Sequence, residues 1–126
     1  MHLPQFRERV DSGLVREAAL AAEESGLDDI WVSDHVLIPV GSERPPTEFH
    51  DALTVLTYAA AHTRRIGLGT SVLVAPYRDP VVLARTVASL DALSSGRVLL
   101  GLASGWLREE FAAVGAQFGE RRERTD

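Results

Sequence analysis

Apolar positions follow two rhythms along this chain. Ile30-Trp31-Val32, Ile66 to Val74, and Val98 to Leu102 are short runs with no polar face, the signature of strands covered on both sides. Between them, apolar residues recur at helical spacing: Leu14, Val15, Ala18, Ala19 and Ala22, then Ala52, Leu53, Val55, Leu56, Ala59 and Ala60, then Val82, Leu83, Val87, Leu90 and Leu93. Each set predicts an amphipathic helix. Asp11 or Ser12, Asp51 and Asp79-Pro80 are suited to start these helices, and Gly26 and Gly96 to end them. The residues from Val36 to His50 read as a loop broken by Pro39, Gly41, Pro45 and Pro46. A last helix is predicted at about Leu107 to Val114, followed by polar residues with no further core. The short apolar piece His2 to Phe6 reads as the stub of a first strand. The order is β-α-β-α-β-α-β-α, about four βα units with parallel strands in one domain over residues 1–126.

Such alternation makes either a doubly wound sheet or a β/α barrel, and the pattern alone does not choose. In both, ligands bind at the carboxyl ends of the strands. Three of those ends carry unusual residues: Ser33-Asp34-His35, Thr70-Ser71, and Ser104-Gly105-Trp106 with Glu109 and Glu110 just beyond. A barrel brings all three to one face. Gly67 and Gly69 interrupt the central strand, which marks a bulge or a close approach to the backbone. They are not a dinucleotide fingerprint, because the strand continues where a third glycine should stand. Gly101 to Gly105 is not a phosphate loop, because no Gly-Lys-Ser/Thr follows.

Composition narrows the chemistry. With a net charge of −5, nothing favours nucleic acid or an anionic membrane as partner. Arg121, Arg122 and Arg124 are interleaved with Glu120, Glu123 and Asp126 and read as a solvated end. The absence of cysteine removes disulfides and thiolate metal sites. No apolar run approaches the roughly 20 residues of a membrane span, and the amino terminus lacks a signal-peptide layout. A soluble cytoplasmic protein is the expectation.

His35, at a strand terminus, can exchange a proton near neutral pH. The alternative is that Asp34 and His35 only satisfy loop backbone groups. Ser33, Asp34 and His35 cannot form a relay among themselves, because successive side chains of an extended segment point opposite ways. Asp34, His35 and His50 lack the spacing of a metal motif, so no metal site is assigned. Trp106 reads as a pocket wall or interior packing. Of Glu109 and Glu110, only one need face a pocket. Trp31 reads as core.

Ile30-Trp31-Val32-Ser33-Asp34-His35, the Ile66 to Val74 strand, and the block from Gly101 through Trp106 to Phe111 together resemble the luciferase-like monooxygenase superfamily. The likeness is greatest to its coenzyme F420-dependent oxidoreductases. It runs through nearly the whole chain in order and implies the N-terminal half of a TIM (β/α)8 barrel. It further implies a deazaflavin or flavin lying across the strand ends, F420 with FMN as the alternative, and hydride exchange with a small organic substrate. His35 becomes the candidate acid/base. Asp34, Ser71, Val72, Ser104, Gly105, Trp106 and Glu109 become candidate cofactor contacts. The family's non-proline cis peptide, in a bulge at the end of the third strand, would fall at Ser71-Val72.

Two departures stand out. Trp106 occupies the place where sugar-phosphate dehydrogenases of the family carry a glutamate. Family barrels also have eight strands, so this chain is expected to be a fragment of a longer enzyme, inactive by itself and inclined to associate, as a dimer, through open strand edges. Two other readings stay open: a noncatalytic half-barrel that only pairs with a copy of itself, and a metal-dependent hydrolase on a similar barrel.

Overall fold

A computed structural model of the protein describes residues 1–6, 11–42 and 48–126. Pro45 and Pro46, expected as loop breakers, lie outside the described residues. The order is α1 (Ser12–Glu24), β1 (Asp29–Val32), α2 (Ala52–His62), β2 (Gly67–Val74), a 3-10 turn (Ala75–Tyr77), α3 (Pro80–Ser94), β3 (Val98–Ala103), α4 (Arg108–Ala113) and a second 3-10 turn (Phe118–Glu120). Among the described residues, the expected first strand is reduced to two isolated bridges, a parallel one between His2 and Trp31 and an antiparallel one between Phe6 and Phe49.

The caps form as local chemistry demands. The Asp11 carboxylate accepts from the Leu14 amide, Asp51 from Thr54, and Asp79 from both Val81 and Val82. Each satisfies amides that the first helical turn leaves without a partner. The three strands pair in parallel in the order β1-β2-β3. Sequential order places every right-handed crossover helix on the same side, and α1, α2 and α3 pack side by side there. A doubly wound sheet would reverse its strand order and use both faces. The topology is that of a barrel wall.

Ile30, Val32, Leu68 and Leu73 are fully buried and meet Val15, Ala19, Leu56 and Ala59 in one core beneath the helices. The sequence overstates some helix faces. In α3, Leu83 and Leu90 are buried, whereas Val82 and Leu93 are exposed, as is Leu14 of α1. Leu99, Leu100 and Leu102 of β3 are likewise exposed, so this strand is not covered on both faces. Trp31 is only half-buried, because it lies on the concave side of the sheet against Gly69, not among the helices. The chain after α4 also differs from expectation. Phe118 packs on the Val74-Tyr77-Phe111 cluster, and the guanidiniums of Arg108 and Arg121 stack on its ring at 4.1 and 4.0 Å from the centroid.

Two polar clamps fasten the amino ends of the strands. Glu23 accepts from the amides of Arg64, Arg65 and Ile66 at 2.6–3.1 Å. Arg97 donates to the carbonyls of Ala60, Thr63, Ile66 and Ser94 and to the Thr63 hydroxyl. With that end tied, the carboxyl ends of the strands are left to carry the site.

Candidate functional site

The ladder between β2 and β3 loses register between Thr70 and Leu73. The Ser71-Val72 peptide within that break is cis. Thr70 repairs the gap: its hydroxyl donates to the Gly101 carbonyl at 2.9 Å and accepts from the Gly101 amide at 3.0 Å. Ser71 and Val72 are consequently turned out to solvent. They form one wall of an open cleft of about 360 Å³, with Ser33, Asp34 and His35 after β1 and Ala103, Ser104, Gly105 and Trp106 after β3 also lining it. Three strand ends do converge on one face.

Ser33, Asp34 and His35 face three different partners, as alternation requires. The Ser33 hydroxyl donates to the Ser71 carbonyl at 3.2 Å. Its backbone is held by the fully buried Gln5, whose amide accepts from Ser33 N and donates to the carbonyls of Ser33 and His50 at 2.7–2.8 Å. Asp34 is buried, with its carboxylate forked against the Arg78 guanidinium and accepting from the Val74 amide at 2.9 Å. Arg78 also reaches Asp51, the cap of α2, at 3.2 Å. Burial opposes the charge on Arg78, but Asp34 and then Asp51 outweigh it and hold the guanidinium above its ordinary range. Both Asp34 oxygens are therefore occupied by protein.

His35 differs. Its Nδ1 lies 3.1 Å from each oxygen of Glu110, while Nε2 has no hydrogen-bond partner among the described residues. The rings of Phe6, Phe49 and Trp106 surround the imidazole, with centroids 5.9–6.4 Å away. Glu110, itself 1% exposed, also accepts from the Val36 amide at 2.7 Å and from the Tyr77 hydroxyl at 2.7 Å. Burial first, and then the hydrogen bond to Glu110 and that group's charge, push the Tyr77 phenol far above its usual range. Tyr77 thus remains a neutral donor.

Of the candidates named from sequence, the structure brings together Asp34, His35, Ser71, Val72, Ser104, Gly105 and Trp106. It leaves Glu109 exposed and outside the cleft, and places Glu110 there instead. Helical phase explains the exchange: Glu110 sits beside Phe111 on the buried side of α4, one position round from Glu109. That phase was readable, since Leu107, Glu110, Phe111 and Val114 repeat at helical spacing. Tyr77 and Gln5 were missed, and nothing local to them signals their roles. At Gly105, with φ 76°, a Cβ would come within 2.6 Å of Val74 and 3.1 Å of Phe111. The cleft floor can carry no side chain at that position.

The fold is shared with known proteins. A family model described as luciferase-like monooxygenase matches residues 7–126. An F420-dependent glucose-6-phosphate dehydrogenase of Amycolatopsis mediterranei is 42% identical over 109 residues, covering 86% of this chain and 32% of that protein. The enzyme of the same description from Kineococcus radiotolerans is 41% identical over 120 residues, covering 93% of this chain and 34% of that one. The chain therefore spans about a third of the length of these relatives. Among solved structures, monooxygenase RslO1 from Streptomyces bottropensis superposes on the whole chain and 39% of its own, with a TM-score of 0.79 and 30% identity. An F420-dependent secondary alcohol dehydrogenase, in complex with an F420-acetone adduct, gives 0.76 and 25% identity over 98% of this chain and 36% of its own.

Proposed function

Because the chain belongs to the luciferase-like monooxygenase family, we propose that its cleft forms one side of a coenzyme F420 site at which a hydride is exchanged with a small organic substrate. The observation that carries this reading is His35, which lines the cleft with Nδ1 against Glu110 and with no hydrogen-bond partner at Nε2 among the described residues.

The lining fits a flat heteroaromatic ring. Ala103 and Gly105 keep side chains off the floor, the turned-out Ser71-Val72 segment offers a peptide face, and Val72 and Trp106 add apolar surface. Ser33, Ser71 and Ser104 supply hydroxyls for the ring's polar edge. Deazaflavin supplies a carbon that accepts or returns a hydride, and the protein supplies orientation and a proton. With F420 bound, Nε2 of His35 would accept the hydroxyl proton of an alcohol substrate whose C–H hydride passes to the deazaflavin, and would return it in the reverse direction. Asp34 has both oxygens engaged by Arg78 and Val74, so its contribution is to hold the strand end that presents His35.

The test is a fluorescence titration of the purified chain with oxidised F420 and, separately, with FMN. Saturable F420 binding, weakened by Gly105→Val, is the expected result. Binding of FMN alone would move the chain to a flavin-dependent reading, and the likeness to RslO1, a monooxygenase, would then favour that reaction class. Binding of neither would overturn a cofactor site in this chain.

A further inference from the structure

We propose that Glu110 is a positioning residue for His35, fixing the imidazole as the Nδ1–H tautomer so that Nε2 faces the cleft as a proton acceptor. The proposal rests on the reading of His35 as the acid/base of the cleft, but its geometry stands independently of any cofactor.

Three donors and one imidazole nitrogen meet on the Glu110 carboxylate. Oε1 accepts from the Val36 amide at 2.7 Å and the Leu37 amide at 3.3 Å. Oε2 accepts from the Tyr77 hydroxyl at 2.7 Å. His35 Nδ1 lies 3.1 Å from both oxygens. A carboxylate has only acceptors to offer, and both backbone amides can only donate. The imidazole must therefore present N–H at Nδ1, because an unprotonated Nδ1 would set a lone pair against a buried carboxylate. Neutral imidazole carries one N–H, so Nε2 then carries the lone pair. The Phe6, Phe49 and Trp106 rings, all set steeply to the imidazole plane at 69–85°, confine it further. Ring reversal would also separate Nδ1 from Glu110.

Glu110→Gln makes the inference measurable. The new amide must keep its oxygen on the Val36 and Leu37 amides, which forces its NH2 group toward Nδ1 and the Tyr77 oxygen. A donor then faces Nδ1, and the proton moves to Nε2. The tautomer is read directly from imidazole nitrogen shifts of histidine-labelled chain, followed through a pH series until the neutral form is reached. The expected result is Nδ1–H in the wild type, Nε2–H in Glu110→Gln, and retained Nδ1–H in Tyr77→Phe, which removes one donor from Glu110 but leaves the His35 contact.

An Nε2–H wild type, or a Glu110→Gln chain that keeps Nδ1–H, overturns the proposal. A purely packing role for Glu110 would lower stability in Glu110→Gln without inverting the tautomer. If that variant does not fold, the wild-type and Tyr77→Phe spectra decide alone. Failure of the F420 titration would strike the cofactor reading and leave this result untouched.

Discussion

Asp34→Asn tests whether the carboxylate beside the cleft is a strut. In the wild type it is fully buried and accepts three N–H groups, two from Arg78 and one from Val74. Removing one partner of a buried pair costs about 3–5 kcal/mol when the other charge is stranded. Arg78 is not wholly stranded, since its side chain is 19% exposed and keeps Asp51 at 3.2 Å. Asparagine also retains one acceptor for the Val74 amide or the guanidinium. These compensations bring the expected loss to about 2–3 kcal/mol. For a chain of this size each kcal/mol moves the midpoint by about 3–5 °C, so Tm should fall by roughly 6–15 °C. The assay is thermal and urea unfolding by far-UV circular dichroism, on Asp34→Asn, Arg78→Gln and the double variant. A strut predicts strong coupling, with the double variant recovering about 1.5–3 kcal/mol of the summed loss. Additivity within about 0.5 kcal/mol would refute the reasoning, and Asp34 would be free to serve a ligand.

Two further substitutions probe the scaffold. Glu23→Gln should destabilise by about 1–2 kcal/mol at neutral pH, because a charged acceptor for three amides becomes a neutral one. Burial raises the Glu23 pKa, but the Arg65, Ile66 and Arg64 amides outweigh it and the folded value is lowered. The contribution is therefore present above the unfolded value of about 4.3 and lost as pH falls through the folded one. The gap between wild type and variant should narrow as pH falls from the unfolded value of about 4.3 through the folded one in urea titrations, and a gap that widens there would show the sign is wrong. Gly69→Ala should displace the Trp31 ring, since a Cβ would sit 2.3–2.6 Å from its carbons. Measured in a Trp106→Phe background, the expectation is a red-shifted emission and about 1–3 kcal/mol of lost stability; an unchanged spectrum and midpoint would contradict the close packing.

How far the chain could be read depended on the range of the interaction concerned. Asp11, Asp51 and Asp79 were legible as caps because each bonds an amide two or three positions on. Strand onsets and the three strand ends followed from periodicity and from parallel pairing. The barrel-like placement of helices on one face did not, since strand order is a property of pairing between segments. Trp31 was misplaced for a related reason: an apolar residue in a buried strand can face either helices or the concave interior. It takes the interior because Gly69 on the neighbouring strand leaves room for its ring.

The site shows the same limit in sharper form. Asp34 is satisfied from forty and forty-four positions away, by Val74 and Arg78, and His35 from seventy-five away, by Glu110. Val74 and Arg78 belong to one βα unit and Glu110 to the next. The segment from Ser33 to Leu37 is consequently clamped by the end of β2 through Asp34 and by α4 through Glu110, whose carboxylate also takes the Val36 and Leu37 amides. A histidine on a loop held from only one side could turn either nitrogen to the cleft. One clamped between two neighbouring units has its backbone set by the carboxylate that also chooses its tautomer. Loss of Glu110 should therefore disturb the loop and the imidazole together, whereas loss of Asp34 should weaken the loop's attachment and leave the proton on Nδ1.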